Sequence, residues 1–219
     1  MILKDVLFIL FIIFIVYVHF PDILCSYRVH NLKKSSLTPF VNNYKNLKKC
    51  TNDKVVLSLT TTPCKIKDIT PMFNSLLDQT VKVNQISLNI PEKCNDETYD
   101  IPAEYKDICN IYTTGKDYGI GTKYVPTLLR ENECGTKIIL LNDNIIYGKD
   151  FIETLLKESD NNPDKCIYVG NTFENADGIL IKPEFITDII HDKCDNKWLH
   201  DNLKSDKVKV NYSKNKKFL

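Results

Sequence analysis

The run KIILLNDNIIY, Lys137 to Tyr147, constrains this chain more than any other stretch. Lys137 to Leu141 reads as a short buried strand. A continuous apolar run bounded by polar turn residues is what a central parallel strand looks like, because helices cover both of its faces. The cluster Asn142-Asp143-Asn144 ends the run abruptly, and a second apolar pair, Ile145-Ile146, follows it. In open α/β sheets the ligand crevice lies just beyond the carboxyl ends of the strands. Oxygen-bearing side chains at that point are placed to hold a divalent cation and, through it, a phosphate. The same three residues also suit an ordinary strand-to-helix turn, since Asn and Asp bond their own backbone and tolerate unusual dihedrals. Spacing alone leaves the two readings level.

Strand and helix patterns alternate on either side of this run. Val55 to Leu59, VVLSL, reads as a first buried strand and ends in Thr60-Thr61-Thr62-Pro63. Ile69, Met72, Phe73, Leu76 and Leu77 then recur at helical spacing, with Thr70 as N-cap before Pro71. Gln85 to Ile90 alternates like a strand and stops at Pro91, residues 92 to 107 look irregular, and Asn110 to Thr113 suggests a further strand. A glycine-rich loop, Gly115 to Gly121, leads into a helical pattern from Thr122 to Arg130, which Pro126 should bend or end. Beyond the opening run the pattern predicts a helix from Lys149 to about Ser159 and strands at Cys166–Gly170 and Gly178–Lys182. Helices are expected at Pro183–His191 and Asp195–Leu203, and Lys207–Val210 is a strand able to close the sheet. Such alternation predicts an α/β fold with a mainly parallel sheet flanked by helices.

Val6 to Val18 is an unbroken run of thirteen apolar residues, about 20 Å as a helix against a bilayer core of about 30 Å. Extended over residues 1–24, with Lys4 and Asp5 snorkelling, it predicts a single-pass signal anchor joining the protein to a membrane. No small-residue cleavage site follows it. Arg28, Lys33 and Lys34 leave the orientation open, so a secretory lumen is one possible location for the rest of the chain. Residues 25–53 are polar, without clear periodicity, and read as a stem. The main domain is expected over 54–211, and 212–219 as a basic, frayed tail. A net charge of +1 gives no electrostatic reason to expect a nucleic-acid partner. The eight cysteines contain no C-x-x-C pair, so zinc-ribbon and thioredoxin-like readings lack support, while disulfides and free buried thiols both stay open.

Four segments in order resemble the glycosyltransferases of the GT-A fold, family-2-like type. VVLSLTTTPCKIKDITPMFNSLLDQT is similar to their opening strand, Thr-rich turn and helix, and DYGIGTKYVPTLL (Asp117 to Leu129) to their Y-G-P-x-T-K-L-x-P loop. LLNDNIIYGKDFIETLL is similar to their acidic D-D-D stretch, and CDNKWLHDNL (Cys194 to Leu203) to a D-D-x-W-L segment. The resemblance covers roughly Val55 to Val210 and implies a nucleotide-diphospho-sugar transferase type of domain. It implies transfer of a sugar from a nucleoside-diphosphate sugar donor to a glycan or protein acceptor, with Mn²⁺ or Mg²⁺ as cofactor. Asp143 would be the metal ligand with Asn142 or Asn144, Asp195 the base, Thr60, Thr61 and Thr62 the lining of the nucleotide pocket, and Lys123 a point charge on the diphosphate. Asp195 suits an N-cap equally well, the threonines a simple turn, and a lone lysine a solvated surface. Trp198 reads as a core residue, and His191 and His200 as surface residues. The sequence departs from the pattern in having N-D-N for the acidic triplet, Asn196 for the second acid and Ile120 for the loop proline. A catalytically degenerate binding or scaffolding protein of the same fold is therefore one alternative. A nucleotidyltransferase is another, although Thr-Thr-Thr-Pro stands where those enzymes usually carry a glycine-rich loop.

Overall fold

The computed structural model describes residues 2–49, 53–186 and 196–218. Strands β1 (Val55–Leu59), β2 (Gln85–Pro91), β3 (Asn110–Thr114), β4 (Lys137–Leu141), β6 (Cys166–Gly170), β7 (Ala176–Ile181) and β8 (Lys207–Val210) form one seven-stranded sheet. A two-residue strand β5, Ile145–Ile146, lies between β4 and β6 in the chain. The sheet order is β3-β2-β1-β4-β7-β6-β8. β1 runs parallel to β2 and β4, β2 to β3, and β6 to β8, whereas β7 is antiparallel to both β4 and β6. The expected α/β class, mainly parallel, is what forms.

Every residue of β1 and β4 is buried, as covering on both faces requires. Alternate side chains feed two cores. Ile139 and Leu141 join Leu57, Leu59 and the helices α3 (Thr70–Leu77) and α5 (Phe151–Asn161). Ile138 and Leu140 face Tyr124, Val125, Leu128 and Ile179, beside α4 (Val125–Arg130) and α6 (Asn196–Asp201). The buried Lys137 at the start of β4 is held by Asp53 and Asp160, at 2.9 and 2.5 Å.

Several expectations change. The helix expected over 122–130 is split: Gly119–Lys123 forms a 3₁₀ turn, and α4 starts one residue before Pro126. A proline whose φ is already helical and whose missing N–H would be unpaired in the first turn starts a helix rather than breaking it. Thr70 opens α3 without capping it; its hydroxyl pairs with the Tyr105 hydroxyl at 3.0 Å. Of the helix expected over 183–191, Pro183–Phe185 is a 3₁₀ turn, and residues 187–191 lie outside the described residues. The tail expected to fray is docked. Its strand β9 (Lys216–Lys217) pairs with β5, and Tyr212 donates to Asp150 at 2.6 Å. Cys25, Cys64, Cys94, Cys109, Cys134 and Cys166 are free thiols.

The expected single-pass anchor over residues 1–24 is overturned: no helix among the described residues is long and apolar enough to cross a membrane. The apolar run is instead the first part of α1 (Ile2–Lys34), which continues into a polar part that docks on the domain. Arg28 donates to Asp78 at 2.7 Å and to the Tyr147 carbonyl at 2.9 Å, and Leu32 is buried. The buried Asn74 amide donates to the carbonyls of Leu32 and Ser35, each at 2.9 Å. The stretch expected as a stem, 25–53, thus carries the docked end of α1 and the helix α2 (Thr38–Lys45). Leu37 is buried there, and Phe40, Val41 and Tyr44 pack on the main core.

Candidate functional site

From β1 the chain steps outward through β2 to β3, then returns to place β4 on the other side of β1. The gap between β1 and β4 is therefore the point where strand order reverses, and a crevice opens there at the carboxyl ends of the strands. A cavity of about 420 Å³ lies at that place, within the usual size range of small-molecule sites. Thr60, Thr61 and Thr62 line it from the end of β1, Lys123 from the 3₁₀ turn, and Asn142, Asp143 and Asn144 from the end of β4. Seven residues singled out in the sequence thus meet in one cavity. Asp195, the eighth, lies outside the described residues.

The contacts within the cavity are specific. Thr61 donates its hydroxyl to the Asp143 carboxylate at 2.8 Å, joining the ends of β1 and β4. Lys123 is 4% exposed, and its ammonium donates to Asn142 Oδ1 at 3.2 Å. Burial lowers the Lys123 pKa to about 8 from 10.5, and the Asp143 charge opposes that fall. The lysine reaches this depth because its backbone is fixed from below. Ser58, on β1, donates to the Lys123 carbonyl, and Ser58, Thr127 and Asn89 form one buried hydrogen-bonded group. Gly119 starts the turn at a φ of 60°, and its N–H donates to Asp117 Oδ1 at 2.7 Å. A left-handed backbone suits glycine, so the loop can reverse here at little steric cost.

Sequence reasoning missed Tyr147 and Asp177. The wholly buried Tyr147 hydroxyl receives the Asn142 N–H at 2.7 Å and lies 2.9 Å from the Asp177 carbonyl. It ties the end of β4 to the start of β7, and burial holds its phenol protonated far above the usual range. Asp177 lines the cavity because β7 runs antiparallel to β4, Gly178 opposite Leu141, which brings the entrance of one strand beside the exit of the other. Lys217 lines it from the docked tail. Only the direction of β7 would have revealed Asp177, and periodicity carries no direction.

Two of the three side chains expected to hold a divalent cation, Asn142 and Asp143, already have protein partners on an oxygen. The Asn142 amide is used at both ends, its oxygen by Lys123 and its nitrogen by the Ala176 carbonyl at 2.9 Å. A flip would set an NH₂ against an ammonium and an oxygen against a carbonyl, so its orientation is determined. Asp143 is the one carboxylate of the N-D-N turn. Among the described residues no group of three or more His, Cys, Asp or Glu side chains stands ready for a metal ion.

Sheet order, crevice and flanking helices together define an α/β fold with a mainly parallel sheet. HddC from Yersinia pseudotuberculosis, in complex with GMP-PN, is similar to this chain with a TM-score of 0.50 at 14% identity, over 76% of this chain and 92% of that one. A second HddC structure from Yersinia pseudotuberculosis gives 0.49 at 13% identity, over 74% and 90%. A nucleotide-diphospho-sugar transferase candidate from Desulfovibrio desulfuricans G20 gives 0.43 at 11%, over 73% and 81%. These likenesses are ones of fold. No protein-family model matches the sequence, and no curated protein matches it significantly.

Proposed function

We propose that the crevice between β1 and β4 binds a nucleoside-diphosphate sugar and that the protein is a glycosyltransferase of GT-A, family-2-like type. The observation that carries this reading is the convergence of Thr60, Thr61, Thr62, Lys123 and Asn142 to Asn144 at the strand-order reversal. Those residues come from three separate segments of the family-like pattern, and the fold brings them together in one cavity. In this proposal the diphosphate meets the Lys123 ammonium. Asp143, oriented by Thr61, accepts hydrogen bonds from hydroxyls of the ribose or the sugar. The acceptor hydroxyl attacks the anomeric carbon as the bond from that carbon to the diphosphate breaks, and the nucleoside diphosphate leaves. A carboxylate takes the acceptor proton. Asp195 holds that role on its motif alone, and Asp177 is one of the carboxylates, with Asp117 and Glu174, that line the described cavity.

Isothermal titration of the full chain with UDP-, GDP- and dTDP-sugars tests the reading, followed by assay for release of the nucleoside diphosphate. Donor binding with slow donor hydrolysis supports the enzyme. Binding without turnover points to a degenerate sugar- or nucleotide-binding protein, and no binding at millimolar donor removes the proposal. Asp143→Ala is expected to abolish transfer and leave the fold intact.

A nucleotidyltransferase is the second reading, favoured by the fold similarity to the HddC structure that holds GMP-PN. Against it stands Thr60-Thr61-Thr62-Pro63 directly after β1, with no glycine to let backbone amides close on a triphosphate. The two activities differ in product. A nucleotidyltransferase releases pyrophosphate from a nucleoside triphosphate and a sugar phosphate, whereas a glycosyltransferase releases a nucleoside diphosphate from its donor.

A further inference from the structure

We propose that the diphosphate subsite of this crevice works without a divalent cation, the buried ammonium of Lys123 standing in the place where a metal ion would be held. The inference rests on the reading of the crevice as a nucleoside-diphosphate site and adds to it the identity of the cation.

Three observations point the same way. First, the Asn142 oxygen that a metal ion would need already accepts from Lys123 at 3.2 Å, and its amide nitrogen is committed to Ala176. A divalent ion bound to that oxygen would lie against a like charge with no water between them. Second, the acids that line the cavity, Asp117, Asp143, Glu174 and Asp177, come from separate segments, and among the described residues no three of them group as a metal site. Mg²⁺ and Ca²⁺ take six or more oxygens, commonly with charged carboxylates among them. Here the N-D-N turn offers the single carboxylate Asp143, one of whose oxygens receives Thr61. Third, Lys123 is built in as a cation. It is 4% exposed, its carbonyl is held by Ser58, and its turn is fixed by Gly119 on Asp117.

An ammonium carries three donors. Among the described residues Lys123 makes one hydrogen bond, to a neutral amide, and the Asp143 charge supports it from nearby. Such a group is under-neutralised for its depth. A diphosphate oxygen arriving in the cavity completes its shell and gains a charge-assisted bond in a place that water scarcely screens. Other cavity lysines, Lys65 and Lys217, stand nearer solvent and can follow the rest of the diphosphate.

The test is calorimetric titration of the full chain with UDP, GDP and dTDP, in excess EDTA and again in Mn²⁺. Mn²⁺ paramagnetic resonance on the protein alone accompanies it. The expected result is binding of one nucleoside diphosphate in EDTA, unchanged by Mn²⁺ within about twofold, and no tight Mn²⁺ site before nucleotide is added. Lys123→Met should weaken that binding at least about tenfold, the scale of one charge-assisted hydrogen bond, and Lys123→Arg should restore part of it. Circular dichroism confirms that both variants fold. Binding that requires Mn²⁺, is lost in Asp143→Ala and survives in Lys123→Met overturns the inference and keeps the nucleotide reading. Absence of binding in both media removes the nucleotide reading, and this inference with it.

Discussion

Burial holds Lys123 at a pKa of about 8, against 10.5 for an ordinary lysine. The sign of the consequence for stability follows directly. Between those values the unfolded chain keeps a proton that the folded chain has released, so folding becomes more favourable as pH rises through that window. Below about 8 both states are charged, and the full cost of the buried ammonium stands. Lys123→Met is expected to flatten this rise and to be more stable near neutral pH by up to about 3 kcal/mol. Urea midpoints measured from about pH 7 to about pH 10 check both points. A residue whose removal stabilises the fold is one kept for something other than the fold. The thiols supply a second test. Burial pushes the Cys109 thiol up to about 12 and holds Cys166 higher still, while Cys64 and Cys134 are exposed. Brief alkylation of the native protein should mark Cys64 and Cys134 and spare Cys109 and Cys166, as read by mass spectrometry. At this scale the sequence showed the chemistry-bearing side chains of the crevice as short polar clusters and as the T-K of the loop. It hid Tyr147, whose phenol looks like the apolar end of a strand until β7 is placed beside it.

Among the elements, strands were far easier to read than helix ends. β1 and β4 are each five residues long and wholly buried, so an unbroken apolar run announced them without ambiguity. Pro126 misled because a proline breaks a helix interior and starts a first turn equally well, and the difference depends on where the preceding turn stops. β7 misled in another way. Its period fits a parallel or an antiparallel neighbour alike, and its antiparallel course is what carries Asp177 to the crevice. Close packing of that strand gives a test. A Cβ on Gly178 would lie 2.6 Å from the Phe151 ring and 3.1 Å from its neighbouring ring atom. Phe151 is fully buried against Tyr147 and Tyr212, so it has little room to turn aside. Gly178→Ala should cost about 1–3 kcal/mol, seen as a lower denaturation midpoint with an unchanged slope.

On the scale of the whole molecule, the question is how much of the N-terminal region belongs to the folding unit. The polar, aperiodic look of residues 25–53 suggested a stem, because the contacts that hold it are made to distant partners and leave no local pattern. Arg28 reaches Asp78 and Tyr147, Asn74 holds the carbonyls of Leu32 and Ser35, and the Tyr44 hydroxyl receives the Val83 N–H at 2.9 Å. We propose that the unit starts near residue 25 and not at 54. Two chains separate the possibilities. One beginning at residue 25 keeps Arg28, Leu32, Leu37 and α2, and all the described cavity residues, which lie from Thr60 onward. It should unfold cooperatively near the midpoint of the full chain and bind nucleotide equally well. One beginning at residue 54 loses the buried leucines at 32 and 37 and the cover that Phe40, Val41 and Tyr44 give the core. Two fully buried leucines alone contribute on the order of 5 kcal/mol, comparable with the whole stability of a domain of this kind. That shorter chain should therefore be unfolded or molten, with its near-ultraviolet dichroism lost. Because α1 docks through Arg28 onto the carbonyl of Tyr147, whose hydroxyl holds the end of β4, loss of the docked helix should also loosen the crevice. Equal stability and equal nucleotide affinity in the two chains would show that the helices merely rest on the domain.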